Sequence, residues 1–119
     1  MTKADVEDVH NKMLTEIEKA GGRIDKVYYC PESAKLNPPC RKPNTGMALQ
    51  AQRDFPDIDF SRSVMVGDSV SDMEFGRRLG MQTVLIETKE EEATAYQKIE
   101  VSLRCKQLID FVNSNFPLP

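Results

Sequence analysis

The ten residues Ser63-Val64-Met65-Val66-Gly67-Asp68-Ser69-Val70-Ser71-Asp72 decide the fold. Their apolar, β-branched start reads as a buried strand, and it runs straight into a Gly-Asp turn. Ser71, with Glu74 three residues later, offers a capping box for a helix that Gly80 would end. A strand that turns into a helix through Gly-Asp brings a carboxylate to the carboxyl edge of a parallel sheet, where ligands of such folds bind. Gly67 permits the tight turn without a Cβ penalty. Asp72 follows Asp68 by one helical turn and can serve the same place.

Working outward, residues 83–86 (Thr-Val-Leu-Ile) read as the next strand, and Lys89-Glu90-Glu91-Glu92 as a solvated loop or helix start. Residues 99–101 read as a short edge strand and residues 103–112 as a last helix. Upstream, residues 45–54 form a helix that Pro56 ends. Before it, Pro31, Pro38, Pro39 and Pro43 make residues 31–43 a loop. Residues 26–30 read as another buried strand, with Tyr28 and Tyr29 packed in the sheet. At the start, Val6, Val9, Met13, Ile17 and Ala20 recur at three- and four-residue spacing, which puts one apolar stripe on a helix stopped by Gly21-Gly22. Met13, Met47, Met65, Met73 and Met81 read as core filling, and His10, the only histidine, lies on the exposed side of the first helix. Helices alternating with strands predict an α/β architecture with a parallel sheet, in one domain over residues 1–119.

Composition narrows the function. A net charge of −3 argues against a broad basic field for nucleic acid, so any cation that matters acts locally. Nowhere do about 18 apolar residues run together, and the start lacks a signal-type apolar run, so neither a membrane span nor a leader is expected. Cys30, Cys40 and Cys105 make an odd count, which leaves at least one free thiol and favours a reducing, cytoplasmic setting. One disulfide plus one free thiol satisfies the same count.

Two features can carry chemistry. Asp68 and Asp72 are hard oxygen ligands of the kind Mg²⁺ takes, along with waters and phosphate. They serve equally as a helix cap and a partner of the helix dipole, and the residues leave both readings open. The second feature is Cys40-Arg41-Lys42-Pro43-Asn44-Thr45-Gly46-Met47. Arg41 can grip an anion through its planar fork and Lys42 as a point charge, on a loop stiffened by proline. A solvated Arg-Lys pair is the simpler reading until a second phosphate-compatible element follows one helix and one strand later.

That combination, Arg-Lys-Pro with Gly-Met, then Val-Gly-Asp-x-x-x-Asp, resembles the haloacid-dehalogenase (HAD) phosphatases. The subgroup is the one holding heptose-bisphosphate and histidinol-phosphate phosphatases. The resemblance extends over nearly the whole chain, from Tyr28-Tyr29-Cys30-Pro31 to Gly76-Arg77-Arg78-Leu79-Gly80-Met81. It implies a HAD-like Rossmannoid parallel sheet with flanking helices, and Mg²⁺-dependent hydrolysis of a phosphomonoester through an aspartyl-phosphate. The substrate would be a small phosphorylated metabolite, a sugar phosphate such as a heptose bisphosphate ahead of histidinol phosphate. Lys42 would steady the nucleophile and the phosphoryl charge, Arg41 would contact substrate phosphate, Asp68 would bind Mg²⁺, and Asp72 would support it.

Two departures qualify the match. Many members of the subgroup hold a loop zinc through Cys-x-His and Cys-x-Cys, but here the matching positions are Cys30, Glu32, Pro38 and Cys40. Two sulfurs do not make a tetrahedral site, so zinc is not expected, and Cys30 and Cys40 read as small buried or free thiols. The other departure is that the family's Asp-x-Asp nucleophile strand and the phosphate-binding strand after it are not found, and Asp5-Val6-Glu7-Asp8 lies within an amphipathic helix. By the family's sheet order, these two strands belong between residues 26–30 and residues 63–66. The expected partners are therefore the N-terminal half carrying them, or a second copy of the chain. A metal- and phosphate-binding or assembly module without activity is the alternative.

Overall fold

A computed structural model, describing residues 2–30 and 37–117, builds the chain around three parallel strands. The strands are β1 (Val64–Gly67), β2 (Gln82–Ile86) and β3 (Leu103–Cys105), in the order β1-β2-β3. Val64 pairs with Gln82 and Gly67 with Leu85 on one side of β2, and Val84 pairs with Leu103 and Ile86 with Cys105 on the other. The helices, in chain order, are α1 (Lys3–Lys19), α2 (Gly46–Asp54), α3 (Val70–Arg78), α4 (Ala93–Tyr96) and α5 (Leu108–Val112). The parallel α/β sheet with flanking helices is thus the one expected. Among the described residues, no helix is long and apolar enough to cross a membrane.

The core sits under the middle strand. Val84 and Leu85 of β2 are fully buried, and Met73 of α3, Leu85 and Tyr96 of α4 form its centre. Met65, Val70, Ile99 and Val101 pack against that centre. α3 lies close on the sheet because Gly76 carries no side chain: a Cβ there would stand 2.9 Å from both Met65 Cβ and Thr83 Cγ2. β1, by contrast, is half-buried along its whole length, since its outer edge has no neighbour among the described residues.

Several local expectations are corrected. Residues 26–30 form no strand; a strand needs a neighbour for its backbone N–H and C=O groups, and none lies beside them. This segment is instead held through side chains, with Lys26 Nζ and the Tyr28 hydroxyl both donating to Asp54 Oδ2 at 2.8 and 2.5 Å. Tyr29 meets His10 edge-on at 5.7 Å between ring centroids rather than packing in the sheet. The last strand is Leu103–Cys105, not residues 99–101, and the last helix shortens to Leu108–Val112. Here Ser102 exchanges hydrogen bonds with Thr83, the Ser102 N–H donating to the Thr83 carbonyl at 2.9 Å, which aligns the next three residues on β2. Ile99 and Val101 go to the core instead.

Met13 is 39 % exposed, and α1 has no buried residue, so it is not core filling in this chain. Cys30 and Cys40 are joined by a disulfide across 5.5 Å between Cα atoms, which corrects the reading of them as free thiols; Cys105 remains free. The odd cysteine count is therefore met by one bridge and one thiol, and it no longer argues for a reducing compartment. Glu32 lies outside the described residues.

Candidate functional site

The carboxyl end of β1 is built by Asp72. α3 begins at Val70 with Ser69 as its cap, so the capping box is Ser69–Asp72 and not Ser71–Glu74. The strand ends at Gly67 and the turn uses only two residues, which leaves the earlier Ser-x-x-Asp at the helix start. Ser69 Oγ accepts from the Asp72 N–H, and Asp72 Oδ2 accepts from the N–H groups of Asp68 and Ser69 at 3.1 and 3.2 Å. Glu74 instead accepts from Arg78 at 3.2 Å. Gly67 is required by this arrangement, because a Cβ there would fall 2.4 Å from Asp72 Cβ and 2.5 Å from Oδ2.

The other oxygen of Asp72 faces Lys42, with Nζ to Oδ1 at 2.5 Å. Burial pushes the Asp72 carboxyl up, but the Lys42 ammonium and the Ser69 hydroxyl and N–H outweigh it and hold the group below the usual carboxylate range. Lys42 reaches across because its loop folds back on the start of α2. The Arg41 N–H donates to the Pro38 carbonyl at 3.0 Å, the Asn44 side chain donates to Pro38, and the Gly46 N–H donates to Pro39 at 2.9 Å. Gly46 allows that approach, since a Cβ there would lie 2.3 Å from the Pro39 oxygen.

Asp68 differs from Asp72 in being open, with its side chain 47 % exposed. Its Oδ1 lies 3.5 Å from Lys89 Nζ. The Asp68 carboxylate first, and Glu92 with it, raise the Lys89 ammonium above its ordinary value. All four residues marked in the sequence, Arg41, Lys42, Asp68 and Asp72, line one cleft of about 420 Å³ with Lys89. Arg41 is exposed there and makes no ion pair with a described residue.

Three residues of the site were not anticipated. Lys89 was read as part of a solvated run, yet it follows β2 by three residues and so stands at the same sheet edge as Asp68. Glu92 Oε1 accepts from the Val70 N–H at 2.9 Å, at the first turn of α3. The Tyr96 hydroxyl donates to the Asp68 carbonyl and accepts from the Lys89 N–H at 3.2 Å. Burial raises the Tyr96 phenol, so it stays a donor across neutral pH. The signal for Lys89 was available: the rule that placed Asp68 beyond one parallel strand applies to the next strand as well.

For a divalent metal the donor set is partial. Asp72 Oδ2 accepts two backbone N–H groups and its Oδ1 faces the Lys42 ammonium, while the half-exposed Asp68 carboxylate lines the cleft. Among the described residues no cluster of three or more His, Cys, Asp or Glu could hold a metal alone. Mg²⁺ fits this set as an ion taking one carboxylate here and the rest of its octahedron from water, phosphate and other groups.

A family model described as HAD-hydrolase-like matches residues 39–110. Among curated relatives, the D-glycero-alpha-D-manno-heptose-1,7-bisphosphate 7-phosphatase of Campylobacter jejuni is 38 % identical over 80 residues, covering 67 % of this chain and 45 % of the relative. The D-glycero-D-manno-heptose-1,7-bisphosphate 7-phosphatase of Chlorobaculum tepidum is 30 % identical over 112 residues, covering 85 % of this chain and 56 % of the relative. A crystal structure of D,D-heptose 1.7-bisphosphate phosphatase from B. bronchiseptica, complexed with magnesium and phosphate, superposes with a TM-score of 0.76 at 29 % identity. It covers 89 % of this chain and 60 % of that one. The chain thus spans about half the length of the curated relatives it matches.

Proposed function

We propose, from the premise that this chain belongs to the HAD-like hydrolase family, that it is the Mg²⁺- and phosphate-handling part of a phosphomonoesterase. Its substrate is a small phosphorylated metabolite, with a sugar phosphate such as a heptose bisphosphate ahead of histidinol phosphate. One observation carries the reading: the Lys42–Asp72 pair at 2.5 Å stands beside the open Asp68 carboxylate in a single cleft at the carboxyl end of β1. A fixed ammonium next to a free carboxylate is what an anion and a divalent cation need at neighbouring positions.

The roles follow from these positions. Asp72 holds Lys42 and, through its other oxygen, the turn that carries Asp68. Lys42 neutralises phosphate and steadies a nucleophile carboxylate as a point charge, and exposed Arg41 contacts the substrate's phosphate with its fork. Asp68 is the Mg²⁺ ligand, and the bound ion would neutralise charge on the transferring phosphoryl group. The attacking carboxylate, which would carry the aspartyl-phosphate, is not among these 119 residues.

It would come on a strand pairing with the outer edge of β1. The accessible surface is 8487 Å², whereas a compact monomer of 13.5 kDa exposes about 6500 Å². An excess of about 2000 Å² on one chain is more than twice the roughly 800 Å² that each partner gives to a standard interface, and is the scale of a large one. Exposed apolar side chains include Val9, Leu49 and Phe55 as well as Leu108, Ile109 and Val112. Residues 1–119 are then one incomplete unit, whose partner is the nucleophile-bearing half or a second copy.

The test is co-expression with a segment carrying an Asp-x-Asp strand, followed by phosphate release from a heptose bisphosphate with and without Mg²⁺. Mg²⁺-dependent release that is lost in Lys42→Ala and in Asp68→Asn is expected. A segment that co-purifies yet gives no release would sink the proposal. The second reading, a binding module without turnover, is favoured by a charged cleft whose groups pair without any nucleophile. Its mark is calorimetric binding of Mg²⁺ or inorganic phosphate to this chain with no hydrolysis under any pairing.

A further inference from the structure

We propose that Lys89 is an exchangeable cation of this cleft: it holds Asp68 in the metal-free chain and moves to the bound phosphate when Mg²⁺ takes that carboxylate. The proposal rests on the reading of Asp68 as the Mg²⁺ ligand, and goes beyond it in giving a second strand a charge of its own in the site.

Lys89 is tied to the turn it serves. Its backbone N–H donates to the Tyr96 hydroxyl, which donates to the Asp68 carbonyl. Glu92, three residues on, accepts from the N–H of Val70 at 2.9 Å. Main-chain and side-chain anchors therefore keep the base of Lys89 beside Asp68. The ammonium is 3.5 Å from Asp68 Oδ1 and 3.8 Å from Glu92 Oε2, and neither separation is a short hydrogen bond. Its side chain is 40 % exposed, so the pair is screened and easily displaced.

Charge settles the direction of exchange. Lys42 is matched to Asp72 and Lys89 to Asp68, and Arg41 adds one positive charge to the cleft. A divalent cation on Asp68 would stand within a few ångströms of the Lys89 ammonium, where like charges repel. The ammonium must leave the carboxylate, and Glu92 alone gives it a weaker partner at the rim. A phosphate dianion in the same cleft gives it a better one, as a compact cation with three donors. Lys89 thus competes with Mg²⁺ when no phosphate is bound and cooperates with phosphate when it is.

The experiment is a pair of titrations on this chain as it stands, for wild type, Lys89→Met and Lys89→Arg, followed by the backbone amide resonances of Gly67 and Asp68. Mg²⁺ is added in phosphate-free buffer; inorganic phosphate is then added at saturating Mg²⁺. Lys89→Met is expected to bind Mg²⁺ about two- to fivefold more tightly, the value of one exposed ion pair. It should bind phosphate about tenfold more weakly, the loss of one charge-assisted contact in an open site. Lys89→Arg should return both affinities toward wild type. A structural role would lower both affinities together, and that outcome, or no change in either, overturns the proposal. Wild type that binds Mg²⁺ normally while Lys89→Met matches it removes the exchange alone. Wild type in which Mg²⁺ leaves Gly67 and Asp68 unmoved removes the metal reading and the exchange with it.

Discussion

Replacing Asp72 by Asn removes one charge and almost no volume from the best-connected carboxylate in the cleft. In the native chain Oδ2 accepts two backbone N–H groups and Oδ1 faces the Lys42 ammonium, with the side chain only 7 % exposed. An amide has one acceptor oxygen. If it faces the two N–H groups, its NH₂ points at Lys42, and donor meets donor; if it turns round, the two backbone donors lose their partner. Removing one member of a buried pair costs about 3–5 kcal/mol. Lys42 is 37 % exposed and can recover part of its hydration, so we expect about 2–3 kcal/mol. That is a large share of the roughly 5–15 kcal/mol that holds a domain together. The assay is urea denaturation of both proteins at pH 7 and at steps down to about pH 3. Sign follows from the direction of the shift. The folded carboxyl lies below its ordinary 3.8, so its contribution is fully present above the unfolded value and is lost as pH falls through the folded one. The two proteins should therefore differ most at neutral pH and converge in acid. A difference below about 0.5 kcal/mol at pH 7 would refute the reasoning, as would one that stays constant through the acid range.

Two further outcomes test the same turn. Gly67→Ala places a methyl 2.4 Å from Asp72 Cβ; overpacking of this kind costs about 2 kcal/mol, and thermal melting should fall by about 8 °C. An unchanged midpoint would mean that Asp72 can move aside. Tyr96→Phe deletes the hydroxyl that joins the Asp68 carbonyl to the Lys89 N–H, at about 1–2 kcal/mol. Amide hydrogen exchange at Lys89 should speed accordingly, and exchange equal to wild type would show that the link contributes nothing.

The helix of residues 3–19 and the parallel strands around residues 64–67 and 82–86 were legible from patterns a few residues long, whereas the gathering of Arg41, Lys42, Asp68 and Asp72 at one site was what the family resemblance implied. Such patterns work where the backbone and its nearest side chains settle the outcome. They failed where a distant partner decides. Residues 26–30 have the composition of a strand, but composition supplies no neighbour to bond with. Ser69 displaced Ser71 as the helix cap because the strand's pairing with β2 ran to Gly67 and left only a two-residue turn. Ser102, through Thr83, moved the last strand four residues along.

The chain's order, through the family resemblance, marked Arg41, Lys42, Asp68 and Asp72 as candidate site residues, and it did not mark Lys89, Glu92 or Tyr96. The resemblance gave Asp68 to Mg²⁺ and Asp72 to its support, and only the tertiary structure supplied the physical difference between them. Asp68 and Asp72 look alike in sequence, yet one is open and the other is consumed by two amides and Lys42. The physical reason is that a carboxylate's role is set by the donors that reach it first, and those donors come from the turn itself, from a loop thirty residues upstream in Lys42 and from the end of the neighbouring strand in Lys89.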